Sequence, residues 1–265
     1  MMKTIYNISF PKLGISLKIN PVAISLGSIN IRWYGILISL GFLVAFFYIM
    51  RRCNDFKIKK EKLESLVIVS SITAIVCARI YYVIFFPGDL YLKNPWKILC
   101  INEGGIAIYG AIIGGLISTF IYSKISKINF YNVLDLMSLG LLIGQFIGRW
   151  GNFTNQEAFG IKTDLPWAMM SENTFGECVH PCFLYESFGC LIFFIFLHFY
   201  TSFKKNSPPG KIFFMYTAFY GILRASIESL RTDSLIIPGT FLRVSQLIGI
   251  TAFVISALIL YVKYR

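Results

Sequence analysis

The run GRWGNFTNQEAFG, residues 148–160, gathers Arg149, Asn152, Asn155, Gln156 and Glu157 within nine residues, three positions after the apolar stretch LGLLIG. An arginine fork fits the oxygens of a phosphate two at a time. Other polar groups stand singly in apolar surroundings: Arg32, Tyr34, Arg79 and Tyr109, then His180, Tyr185 and Glu186, then Arg224, Glu228 and Gln246. Arg231 follows close behind. Arginines with asparagines and tyrosines could hold a phosphate-bearing ligand, and in a membrane the phosphate at hand is a lipid headgroup.

The composition says that a membrane is where they sit. Of 265 residues, 56% are hydrophobic and only 14% charged, and the mean hydropathy is +0.66. A soluble domain carries about 25% charged residues. The chain is therefore expected to be an all-α polytopic membrane protein, a single membrane domain over residues 1–265. Its net charge of +12 lies mostly in short loops between apolar segments and does not point to nucleic acid. A bilayer core takes about 20 apolar residues per helix. Seven segments meet this: Ile31–Met50, Ser65–Phe86, Ala107–Tyr122, Val133–Ile147, Cys182–Tyr200, Ile212–Ile227 and Val244–Val262. No sheet is expected, because open strand edges stay unsatisfied in lipid. The N-terminal run, broken by Pro11, Lys12 and Lys18, lacks the layout of a cleaved signal peptide.

Basic residues orient these spans. The loop RRCNDFKIKKEK holds six, and Lys124 with Lys127, Lys204 with Lys205 and Lys211, and Lys263 with Arg265 bring that side to thirteen. The opposite side holds nine spread over a much longer stretch of chain. The positive-inside rule then places the N-terminus outside and the C-terminus in the cytoplasm. On that reading residues 1–30 form an outer arm and residues 148–181 an outer loop carrying the opening motif. All seven spans place polar groups at the outer level. One ionisable group at a span centre costs at least about 2.5–3.5 kcal/mol, so the recurrence points to a shared site.

Gly140, Gly144 and Gly148 recur every four residues, as do Gly110 and Gly114. Such small faces let helices approach closely, and they are expected to bring Tyr109 and Arg149 toward each other. With two histidines in the chain, metal catalysis has little support, and no cofactor is expected. CVHPC, with Cys178, His180 and Cys182, has no second cluster to complete a metal site; the two cysteines could pair.

Taken along the chain, the motifs resemble the prolipoprotein diacylglyceryl transferases, a bacterial family of seven-helix inner-membrane enzymes. GRWGNFTNQEAFG resembles the family signature, INIRWYGILISLG its first-helix motif and ARIYYVIF its second. GGIAIYGAIIGG resembles the third-helix glycine motif, HPCFLYES the histidine-proline-leucine-tyrosine-glutamate motif and YGILRASIESLR the sixth-helix motif. Six motifs in order are far more specific than one. The resemblance implies transfer of the diacylglyceryl group of phosphatidylglycerol to the lipobox cysteine of a prolipoprotein signal peptide. The product is a thioether and the leaving group glycerol phosphate. It also implies that Arg149 and Arg224 hold and neutralise the phosphate. Asn152, Glu157 and Gly160 belong to the signature, Tyr34 to the first-helix motif, Arg79 to the second, and Tyr220 and Glu228 to the sixth. The nucleophile comes from the substrate, so the chain needs no serine or cysteine nucleophile of its own.

The sequence departs from the family pattern at LGSIN, where Gly-Pro is usual, and at Tyr109, where family members carry the histidine assigned as base for the thiol. A tyrosine with its usual pKa of about 10 is a poor base at neutral pH. Either Tyr109 donates a hydrogen bond, or the base is elsewhere, with Glu157 and Glu228 as candidates. Two rivals from other classes are a transporter or anion-conducting protein and a lipid-binding scaffold. A pathway would place polar groups at several depths, often with an internal repeat. No repeat is evident, and the inner halves of the spans are nearly pure Ile, Leu, Phe and Val.

Overall fold

The structure is a computed structural model that describes residues 5–27, 29–100, 104–204, 207–237, 239–240 and 242–265. Ser28 of LGSIN and Lys205 of the basic loops lie outside the described residues. Eight helices appear among them: α1 Trp33–Arg52, α2 Lys60–Phe85, α3 Leu90–Lys93, α4 Ile108–Ile125, α5 Phe130–Asn155, α6 Cys182–Phe203, α7 Lys211–Glu228 and α8 Val244–Lys263. Six are long and apolar enough to cross a bilayer, so the protein is a polytopic all-α membrane protein. The segment expected at Ile212–Ile227 is α7, an 18-residue helix whose Lys211, Arg224 and Glu228 keep it out of those six.

The chain divides into two compact units, Met1–Ile49 with Asp135–Arg265, and Met50–Leu134. In the first, α1 lies against α5 at small residues. A Cβ on Gly41 would stand 3.4 Å from the Gly144 carbonyl, and one on Gly140 would stand 3.0 Å from Ile49 Cγ2. The closest crossing joins α7 to α8. There Cβ atoms on Gly221 and Gly249 would each collide with the other residue's carbonyl oxygen, at 2.5 and 2.6 Å. Asp135, buried in α5, accepts the backbone N–H groups of Gly210 and Phe213, both at 2.7 Å, and so caps the start of α7. In the second unit α4 lies on α2, where a Cβ on Gly110 would meet the Cys77 carbonyl at 2.4 Å. Each glycine run thus packs a helix pair inside its own unit.

Two expectations need correction. Strands do occur, before α1, as two antiparallel hairpins: β1 Tyr6–Phe10 with β2 Ile15–Ile19, and β3 Val22–Leu26 with β4 Ile29–Arg32. The lipid argument against open edges concerns segments that span the hydrocarbon, and these short hairpins precede the first span. The fourth span, expected to end at Ile147, continues as α5 to Asn155. Its last turns find an apolar partner beyond the apolar sequence: Phe153 packs with Ile8 of β1, Met169, Val179 and Phe183. Ser9 and Met170 exchange two backbone hydrogen bonds of 2.8 Å, docking β1 on the segment after α5. Arg149, Asn152 and Asn155 are accordingly helix residues, and the loop runs from 156 to 181.

Candidate active site

Three helices of the first unit bring polar faces together. On α7, Tyr216, Tyr220, Arg224 and Glu228 recur every four residues and share one face. On α6, Cys182, Phe183, Glu186, Ser187 and Cys190 form the buried face. On α5, Gln145, Arg149 and Asn152 fall on one side, and Gln145 donates to the Tyr216 hydroxyl at 2.9 Å.

The faces meet at Glu186, which is 2% exposed. Its Oε1 accepts Arg149 Nη2 at 2.5 Å and the Tyr220 hydroxyl at 2.8 Å, while its Oε2 accepts Arg224 Nη1 at 3.3 Å. Arg224 Nη2 stands 2.6 Å from Oε2 of Glu228, off the hydrogen-bond direction, so the contact is an ion pair alone. Arg149 Nη1 reaches Asn152 Oδ1 at 3.3 Å. A guanidinium has five N–H donors, and in neither arginine do these contacts fill the fork. Both side chains keep some solvent access, 22% for Arg149 and 17% for Arg224. Two anchored cations with spare donors on adjoining helices can grip one anion.

The turn after α5 shapes the rest. Gln156 and Ala158 adopt left-handed backbone conformations, φ 51° and 58°, unusual for residues with a side chain. Gln156 is buried, with its Nε2 on the Phe153 carbonyl at 2.5 Å. Glu157 is exposed and accepts Asn152 Nδ2 at 2.9 Å. This candidate base is linked to Arg149 through Asn152. Gly160 donates its N–H to the His180 carbonyl at 2.8 Å, and its α-carbon faces inward. A Cβ there would meet His180 Cβ at 2.7 Å and Cys182 Sγ at 2.9 Å. Gly151 likewise leaves room for the ring of Tyr34, 2.8 Å from where its Cβ would be.

Around this centre, Arg231 is held by Asp233 through two hydrogen bonds of 2.8 and 2.7 Å. Partial burial alone would raise the Asp233 pKa; the Arg231 bonds outweigh it and hold the carboxylate below its ordinary value. Burial holds His180 below the ordinary histidine range, and its Nδ1 lies 3.0 Å from the Tyr185 hydroxyl, which takes the Trp167 N–H at 2.9 Å. Cys178 and Cys182 are both free thiols. Among the described residues no three His, Cys, Asp or Glu side chains gather as metal ligands.

Two expected site residues belong to the second unit. Tyr109 opens α4, half-buried, its ring centroid 6.4 Å from that of Tyr81. Arg79 is 5% exposed and its fork is full: Nε donates to Ile98 O, Nη1 to Gly104 O and Gly105 O, Nη2 to Lys97 O and Cys100 O. A cavity of about 160 Å³ lies beside it, lined also by Tyr82, Phe86, Tyr91 and Lys97, but Arg79 has no donor left to offer there. The expectation that Arg79 binds substrate through its guanidinium does not fit this geometry.

Glu186 is the residue that sequence reasoning passed over, although it was placed in the polar layer. The signal was charge. Two arginines set into apolar helices need a carboxylate, and HPCFLYES supplies one near the start of its helix.

Two arginines braced on a shared buried carboxylate, with donors unused, give this helical membrane protein a site whose charge and geometry suit an anion. The model of the family described as prolipoprotein diacylglyceryl transferase matches residues 21–262. A Finegoldia magna protein named phosphatidylglycerol–prolipoprotein diacylglyceryl transferase is 43% identical over 245 residues, 92% of this chain and 95% of its own. Proteins of the same name from Lysinibacillus sphaericus and Staphylococcus aureus are 42% and 39% identical over 251 and 260 residues, 91% and 93% of this chain and 90% and 91% of their own. The chain belongs to the prolipoprotein diacylglyceryl transferase family. That membership removes support for the transporter reading.

Proposed function

We propose that the protein transfers the diacylglyceryl group of phosphatidylglycerol to the lipobox cysteine of prolipoprotein signal peptides, the first step of lipoprotein maturation. It works in the bacterial cytoplasmic membrane with seven spans, α7 included, its N-terminus outside and its C-terminus in the cytoplasm. The thiol sulfur attacks the glyceryl carbon that bears the phosphate. The S–C bond forms as the C–O bond breaks, the electron pair leaves with the phosphate oxygen, and the thiol's proton passes to water. Charge on the departing glycerol phosphate grows in the transition state. Arg149 and Arg224, fixed in advance on Glu186, stabilise it without reorganising. Asn152, Tyr34, Tyr220, Glu228 and Gly160 shape and bind, and Glu157 acts through Asn152. A thiol of pKa about 8.5 is already ionised in small part at pH 7. Tyr109 contributes its hydroxyl rather than serving as the sole base.

The observation that carries this reading is the pair of unfilled arginine forks on one buried carboxylate, in a chain whose relatives bear the enzyme's name. The test incubates purified protein with phosphatidylglycerol labelled in its acyl chains and a lipobox peptide. Label should move to the peptide, and not to the same peptide with serine for cysteine. Labelling of both peptides, or of neither, sinks the proposal.

A further inference from the structure

We propose that Glu186 sets how tightly the arginine pair holds phosphate, and so lets the phosphate product leave; this rests on the transferase reading above. Glu186 touches both guanidiniums, Arg149 through Oε1 at 2.5 Å and Arg224 through Oε2 at 3.3 Å, while Glu228 pairs with Arg224 alone. Buried at 2% exposure, its charge is poorly screened by water, and the Tyr220 hydroxyl fixes its orientation. Two partly buried guanidiniums without the carboxylate they share, balanced by Glu228 alone, would grip a doubly charged phosphate more strongly. Tight binding of the product slows turnover without helping the chemical step. Glu186 holds each fork by one edge and leaves other donors free, so phosphate is bound by two arginines whose charge is already partly balanced. When the product departs, the same carboxylate spares Arg149 the loss of its one carboxylate partner and leaves Arg224 with two. Glu186 is thus a positioning residue with an electrostatic task, acting on phosphate through Arg149 and Arg224.

The sign of the effect makes the idea testable. If Glu186 merely held the arginines in place, its removal would weaken phosphate binding. If it tempers their charge, removal must strengthen it. The measurement is inhibition of transfer by added glycerol phosphate, with purified protein in phosphatidylglycerol vesicles. Glu186→Gln keeps size and an acceptor for Arg149 but loses the charge. Glycerol phosphate should inhibit this variant at about tenfold lower concentration than wild type, the scale of one unit charge removed several ångströms away at intermediate dielectric, and turnover should fall. Should Glu186→Gln not accumulate as folded protein, Glu186→Asp decides, since its retracted carboxylate must also tighten inhibition, by a smaller factor. Unchanged or weakened inhibition in the variant tested overturns the inference. Absence of transfer by the wild-type protein is a different result, and would remove the transferase reading itself.

Discussion

Arg79 in the second unit and the Arg149–Arg224 pair in the first look alike in sequence: arginines inside apolar helices, each within a family motif. Their surroundings are opposite. Arg79 gives all five N–H groups to the carbonyls of Lys97, Ile98, Cys100, Gly104 and Gly105, tying the segment between α3 and α4 to α2. Its acceptors are neutral and its fork is full. Gly105 has to be glycine there, because a Cβ would stand 2.4 Å from Arg79 Nη1 and the backbone has φ +79°. Arg149 and Arg224 bond to few acceptors, mostly carboxylate oxygens, and keep donors in hand. Whether a buried arginine serves structure or chemistry depends on how many of its donors the fold has already used.

That contrast can be broken by experiment. Arg149→Ala and Arg224→Ala should each lower transfer by about 10²–10³, the usual cost of losing one donor to a developing oxyanion, with protein level in the membrane unchanged. Lysine should rescue poorly, since it lacks the fork. Turnover near wild type in either alanine variant would remove the pair from the mechanism.

Arg79→Ala should behave in the reverse manner. Five carbonyls lose their donor at once, and orphaned buried acceptors cost about 1–3 kcal/mol apiece before the segment relaxes toward water. Thermal stability and accumulated protein should drop, while the turnover of molecules that remain folded stays within about threefold of wild type. A stable but inactive Arg79→Ala protein would erase the distinction between the two regions.

Glu157 sharpens the comparison on a smaller scale. Being exposed and one asparagine removed from Arg149, it should tolerate Glu157→Gln with a loss of about tenfold or less, because glutamine keeps the acceptor for Asn152 and an ordinary hydrogen bond contributes about 0.5–1.5 kcal/mol net. The check is the kcat of this variant against Asn152→Ala, which should fall further. The reverse order would mean that Glu157 meets substrate directly.

The smallest effect is expected at Tyr109. Tyr109→Phe removes one neutral hydroxyl and should slow transfer by a few-fold, roughly the 0.5–1.5 kcal/mol of an ordinary hydrogen bond, leaving its pH dependence in place. Tyr109→His should remain active. A phenylalanine variant dead at pH 7 that recovers toward pH 9 would identify the hydroxyl as the base.

Much of this was legible without coordinates, because lipid simplifies the reading. Seven apolar segments became seven long helices with ends shifted by a few residues, apart from α5, and the four-residue ladder Tyr216–Tyr220–Arg224–Glu228 could be counted directly along α7. The overrun of α5 was hidden, since the partner that continues it, Ile8 in β1, lies far away in sequence. The hairpins were hidden for a related reason: hydropathy picks out runs long enough to cross lipid, and the arm before α1 contains none.

The sequence by itself determined the membrane class, the helices, the family and the candidate arginines, because apolar length, charge placement and motif order are properties of the chain. Only the tertiary structure decided which arginine is used up and which is available, and that Glu186 joins the two that are. A donor's free capacity depends on acceptors that folding brings from elsewhere: carbonyls of residues 97–105 for Arg79, and a carboxylate 37 positions along for Arg149. No local pattern records that distance.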